Sequence, residues 1–146
     1  MKNQQKKIIK RIINNAKEEF ILRGFKLANV DNLAKAIGIS KATLYKYIPQ
    51  KDLLFKKCFI EHLNEYASAF KKCSSEILEV SEQAFFSKLF AMIRISSKFI
   101  EITNKMLGIE EKRRFPDLYE KLQAFASKQI EANFRIILSK GKELKL

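Results

Sequence analysis

The sequence predicts an all-α protein with a helix-turn-helix near its N-terminus. Three observations carry that expectation. Only four glycines and two prolines interrupt 146 residues. Leu, Ile, Ala, Lys and Glu dominate, and no Val/Thr-rich run alternates at the period of two that a half-buried strand requires. Apolar residues recur instead at the 3.6-residue period that gives a helix one greasy face.

The first helix is expected over about Asn3–Arg23. Ile9, Ile12, Ile13, Ala16 and Phe20 share one face, with Lys6, Lys7, Lys10 and Lys17 off it. Gly24 follows as a left-handed stop, and Phe25 offers an apolar anchor. A short second helix is expected over Val30–Ile37, capped by Asn29, whose side-chain oxygen can accept a first-turn N–H. Gly38-Ile39-Ser40 forms the turn, and Ser40 caps a third helix, Lys41–Ile48, which Pro49 ends. Gln50-Lys51-Asp52 opens a fourth helix to about Cys73. Three more follow: about Ser81–Ser96, with Phe85, Phe86, Leu89, Phe90 and Ile93 inward; about Ser97–Glu111; and one from Pro116, which suits a first helical turn, to about Ser139.

The second and third helices have what a tight crossing needs. Leu33 and Ile37 face inward from one, Leu44 and Ile48 from the other. Ala34 is small at the crossing, Gly38 turns the backbone and Ile39 plugs the gap below. Rotation by about 100° per residue then centres the outer face of the third helix on Ala42 and Lys46, flanked by Thr43 and Tyr45. A small residue lets the backbone approach a groove, a cation reaches base edges or phosphates, and the hydroxyls of Thr43, Tyr45 and Tyr47 can donate to phosphate oxygens. Lys51, at a helix start, suits a phosphate. The competing reading is a packing motif with a solvated Tyr/Lys face.

Charge favours the first reading. The chain carries +13. Residues 1–57 hold 14 Lys/Arg against 4 Asp/Glu, net +10, whereas residues 58–146 hold 15 against 12, net +3. A basic block on a balanced remainder suits a polyanion such as nucleic acid.

Residues 8–57 resemble the N-terminal domain of the TetR family of transcriptional repressors. "IINNAKEEFILRGF" is similar to that family's first helix, ending in Gly-Phe. "VDNLAKAIGISKATLYKYIPQKDLLF" is similar to its helix-turn-helix, with Tyr-x-Tyr and Lys-Asp-Leu-Leu. The family usually has Thr where Asn29 stands and Phe where Ile48 stands. "EEKRRFPDLYEKLQAF" and the helix ending near "LSKGKEL" resemble its sixth and seventh helices. Two long dimer-forming helices usually follow, and the chain stops at Leu146 before them.

The resemblance implies a DNA-binding domain at residues 1–50 and a ligand-binding-type helical domain, truncated relative to the family, at 51–146. It implies a repressor that binds double-stranded operator DNA as a homodimer and releases it when a small hydrophobic effector enters the C-terminal domain. The DNA-contacting set is then Asn29, Ser40, Lys41, Ala42, Thr43, Tyr45, Lys46, Tyr47 and Lys51. Phe85, Phe86, Phe90, Phe99 and Phe125 become candidates to line an effector cavity, against the plainer reading that they are core. The face around Phe125, Ile130, Phe134 and Ile137 is where a dimer contact is expected.

Other chemistry finds little support. His62 is the sole histidine and lies four residues after Cys58, and two ligands do not make a metal site. No nucleophile–base–acid set and no Gly-rich phosphate loop is present, so neither catalysis, a metal nor a cofactor is expected. Glu110-Glu111 and Lys112-Arg113-Arg114 read as a solvated helix end. No apolar run approaches the roughly 20 residues of a membrane helix, and two unclustered cysteines suit a reduced, cytoplasmic setting. The alternative function is a truncated paralogue acting through protein–protein contact. A third possibility, a basic protein at anionic membranes, fits the groove-like Ala42/Lys46 face poorly.

Overall fold

A computed structural model describes all residues 1–146 and contains seven helices and no strand: α1 (Lys2–Leu27), α2 (Val30–Ile37), α3 (Lys41–Tyr47), α4 (Lys51–Leu78), α5 (Glu82–Met106), α6 (Ile109–Arg114) and α7 (Pro116–Glu143). The chain divides into two compact units. One comprises Met1–His62 with Ile102–Phe115, the other Leu63–Glu101 with Pro116–Leu146.

In the first unit, α1 buries Ile12, Ala16 and Phe20, the stripe its periodicity predicts. The helix breaks at Gly24, whose φ of 70° and ψ of 174° lie in a region that essentially only glycine occupies. The break swings Phe25 back into a cluster of rings with Phe20, Phe55 and Phe115, at centroid separations of 4.8–6.2 Å. Leu33, Ala34 and Ile37 of α2 and Leu44 of α3 are buried, as is Ile48. Leu54, Phe55, Cys58 and Phe59 bring the start of α4 into the same core. The sequence predicts helix α3 through Ile48, but Ile48 is the extended residue that ends it, because a residue before proline is pushed out of the helical region.

In the second unit, Tyr66, Phe70, Cys73 and Ile77 of α4 form a stripe at spacings of four, three and four. They pack with Phe85 and Met92 of α5, and partly buried Phe99, Phe125 and Ile137 lie against that core. The α4 helix outlasts its predicted end at Cys73 because no glycine or proline intervenes before Leu78.

Two expectations here are corrected. The helices predicted over Ser81–Ser96 and Ser97–Glu111 are one continuous α5, followed by the short α6. Ser96-Ser97 is no break, since serine costs a helix only a few tenths of a kcal/mol (about 0.5); the interruption comes at Leu107-Gly108. Phe86, Phe90 and Ile93, expected inward, are more than half exposed. The α5 helix carries two apolar stripes about 100° apart. The stripe through Phe85, Leu89, Met92 and Phe99 meets the core, and the one through Phe86, Phe90, Ile93 and Ile100 does not.

Candidate nucleic-acid interface

The α2–turn–α3 segment is built cap to cap. The side-chain oxygen of Asn29 accepts from the backbone N–H of Asp31 at 2.8 Å and of Asn32 at 3.2 Å. That bonding leaves the two amide hydrogens of Asn29 facing outward on an exposed residue. Glu19 of α1 accepts from the Asn29 N–H at 3.2 Å, which fixes the start of α2 against the first helix. At the far end, Gly38 adopts φ 78°, ψ 34°, and its N–H bonds back to Ala34 and Lys35. The side-chain oxygen of Ser40 then accepts from the Thr43 N–H at 3.0 Å. The Arg11 guanidinium of α1 donates to the Ile37 carbonyl at 2.9 Å and pins the last turn of α2.

These fixings define the outer face of α3. Lys41, Ala42 and Lys46 are exposed, Thr43, Tyr45 and Tyr47 are half-buried, and only Leu44 is fully turned in. No acid lies on the helix. Lys41 is partly spoken for, since its ammonium pairs with Asp31 of α2 at 3.2 Å. Ser40 is likewise engaged, with its hydroxyl 2.8 Å from that of Thr43. Lys46 has no such partner, so its charge projects uncompensated from the centre of the face.

Lys51 occupies a different setting from the open helix start the sequence suggests. Its ammonium lies 4.8 Å from the centroid of Phe25, and desolvation first, then the nearby Arg114, push its pKa below the usual lysine value. Arg114 sits over the same ring at 4.8 Å and grips both carboxylate oxygens of Asp52 at 3.1 and 3.0 Å. Arg114 stands exposed at the end of α6, as the sequence suggests, but its charge is met by Asp52 at the start of α4 and not by the acids of its own helix. Its sequence signal was the adjacent Phe115, which buries against Phe25 and Phe55 and so carries Arg114 with it. Lys51, Arg114, Phe25 and Glu111 line a cleft of about 380 Å³.

The phenylalanine candidates split. Phe99 and Phe125, 5.9 Å apart, line an apolar hollow of about 190 Å³ in the second unit together with Tyr66, Ile100 and Ile130. Tyr66 stacks on Phe99 at 4.2 Å, and its hydroxyl lies 3.1 Å from that of Ser96. Phe85 is buried core, and Phe86 and Phe90 lie on the exposed stripe; none of the three borders this hollow. Tyr66, absent from the sequence-based set, could have been found from its place on the inward stripe of α4. His62 is buried and lies 2.9 Å from the Thr103 hydroxyl. No helix is long and apolar enough to cross a membrane.

Over 108 residues, 74% of its length, the chain is 24% identical to the nucleoid occlusion factor SlmA of Haemophilus ducreyi (strain 35000HP / ATCC 700724). The match takes in 52% of that protein, so the chain spans about half the length of this relative. Residues 12–58, from the buried face of α1 through the turn and α3 into α4, match the bacterial regulatory proteins of the tetR family. That segment, 47 of the chain's 146 residues, carries the helix-turn-helix of the tetR family.

Proposed function

We propose that this chain is a ligand-responsive repressor that lays α3 in the major groove of operator DNA. The observation that carries the reading is the outer face of α3: Ala42 and Lys46 exposed, hydroxyl groups on both flanks, no acid, and a helix start capped by Ser40. Lys46 supplies base discrimination, with Ala42 allowing close approach. The side chains of Thr43, Tyr45 and Tyr47 donate to phosphates, as does the outward amide of Asn29. Ser40 and Lys41 set the helix at the groove edge, and Lys51 contributes charge behind it. Residues 1–50 read DNA in this scheme, and residues 51–146 regulate. An uncharged hydrophobic effector fits the hollow between Phe99 and Phe125, whose walls are mainly aromatic and aliphatic, include the polar Ser96, Gln129 and Asn133, and lack a charged group. The relative's description as a nucleoid occlusion factor supports an association with DNA. A cytoplasmic location accords with both.

Operator recognition by short helices takes two copies, with recognition helices about 34–36 Å apart. A homodimer accords with the exposed apolar residues Ile130, Phe134 and Leu138 on α7, since contiguous apolar surface of this kind marks contact sites. The same surface is what favours the second reading, action through protein–protein contact without specific DNA binding.

Fluorescence anisotropy with operator duplexes obtained by in vitro selection separates the two. Lys46→Ala should alter base preference at one position, by about 1–3 kcal/mol. Lys51→Ala should weaken all sequences alike and flatten the salt slope by about one unit. Selection that enriches no sequence, with both variants indistinguishable from the parent, would sink the proposal and leave the protein-contact reading standing.

A further inference from the structure

Six cations and no acid occupy the first 17 residues. Most of them precede the segment that matches the family. Lys7 and Lys10 lie on the side of α1 away from Ile12, Ala16 and Phe20, with Lys6 at the edge of that side, and all three are exposed without an ion-pair partner. A helix on its own disfavours this arrangement, because cations near an N-terminus oppose the positive end of the dipole. No acid lies in the first turn to offset it, and no side chain caps the end. Nothing in the packing calls for these lysines.

Their position is fixed by Arg11. Its guanidinium donates to the Ile37 carbonyl, the last residue of α2 before the turn into α3. Lys7 lies four residues before Arg11 and Lys10 one residue before it, about 6 Å or less along the axis. The lysine face is therefore held beside the turn that launches α3, in the same unit of the fold. That unit holds 18 Lys/Arg against 7 Asp/Glu, and the other holds 11 against 9.

From this placement we infer that Lys6, Lys7 and Lys10 form a second, sequence-independent contact with the phosphates of duplex DNA flanking the groove entered by α3. The inference rests on the reading of the protein as a DNA binder. The occupant follows from charge complementarity, since a row of ammonium groups on a rigid rod matches a row of phosphates. A membrane surface would also need a free apolar face, and the apolar face of α1 is spent on the core.

The test measures affinity of the full-length chain for a random-sequence 30-base-pair duplex across salt concentrations, which needs no knowledge of the operator. Lys6→Gln/Lys7→Gln/Lys10→Gln is compared with a charge-matched control, Lys98→Gln/Lys121→Gln/Lys128→Gln, on exposed positions of the other unit. The α1 variant should keep the parent's melting temperature and lose on the order of tenfold or more in affinity at low salt. Its slope of log affinity against log salt should fall by about two to three units, near 0.9 for each phosphate no longer neutralised. The control should stay close to the parent. Equal weakening in both variants would reduce the effect to net charge, and unchanged affinity in both would remove the phosphate contact; each result overturns the inference while leaving DNA binding intact. Preferential binding of the parent to phosphatidylglycerol vesicles over the duplex would reassign the face and overturn it too. A parent that binds no duplex at low salt would overturn the underlying reading itself.

Discussion

Gly24 and Gly38 both have positive φ, yet they differ in what they ask of a replacement. A Cβ added at either position meets no atom within 4 Å, so the cost of substitution lies in the backbone alone. Gly38 sits in the left-handed helical well, where an ordinary residue loses about 1–2 kcal/mol. Gly24 sits near φ 70°, ψ 174°, outside that well and closed to side chains. Gly24→Ala should therefore destabilise by more than Gly38→Ala, about 2–3 against about 1 kcal/mol in urea unfolding. Equal destabilisation would contradict the two conformations. Cys58 is a second residue-scale case. Burial pushes its thiol up to about 12, and its sulfur lies 3.5 Å from the Ile13 carbonyl in the core. Because the thiolate is the reactive species, iodoacetamide at neutral pH should label Cys58 only when the chain opens. Labelling that is fast in buffer and no faster in urea would count against this packing.

Helices α4 and α5 are joined at the surface of the second unit by Glu76 and Lys88. The hydrogen bond between them comes first among the causes that lower the pKa of Glu76 and raise that of Lys88. The sign of the linkage differs for the two partners. For Glu76, the stabilisation is present above the unfolded carboxylate pKa and is lost as pH falls through the lower folded value. For Lys88, it is present below the unfolded lysine pKa and is lost as pH rises through the higher folded value. Replacing Lys88 by Met should thus flatten the acid limb of a melting-temperature profile. The effect should be small, because the pair is exposed to screening water. A profile unchanged in slope below the carboxylate range would show that the pair holds nothing. This bridge was not legible in the sequence, because the partners are 12 residues apart across the α4–α5 turn and no helical spacing rule joins them.

At the scale of the molecule, the exposed stripe Ile130, Phe134 and Leu138 bears on assembly. The face expected to dimerise does not act as one surface: Phe125 and Ile137 turn toward the core of the second unit, while Ile130 and Phe134 turn out. Sedimentation over a wide concentration range should show self-association. Phe134→Glu should move its midpoint to higher concentration with little change in melting temperature, since Phe134 is 62% exposed in the single chain. A dimer indifferent to Phe134→Glu would place the interface elsewhere, and a monomer at every concentration would remove the homodimer from the proposal.

Local chemistry is what the sequence by itself determined about this protein. The caps at Asn29 and Ser40, the left-handed Gly38, the small Ala34 and the buried Leu33, Ile37, Leu44 and Ile48 are all short-range facts. Each is settled by a residue's own backbone preference or by the helical period over one or two turns. The all-α class, the bounds of α2 and the outer face of α3 followed from them. The tertiary structure alone decided what depends on partners distant in the chain. It chose which of two equally apolar stripes of α5 is buried, sending Phe85 in and Phe86 and Phe90 out, because periodicity counts apolar faces and cannot say which neighbour will cover one. It drew Arg114 to Asp52 across 62 residues, and it set Lys51 on the ring of Phe25. A charged side chain in a sequence carries its charge but not its counter-ion, and only the folded backbone brings the two within reach.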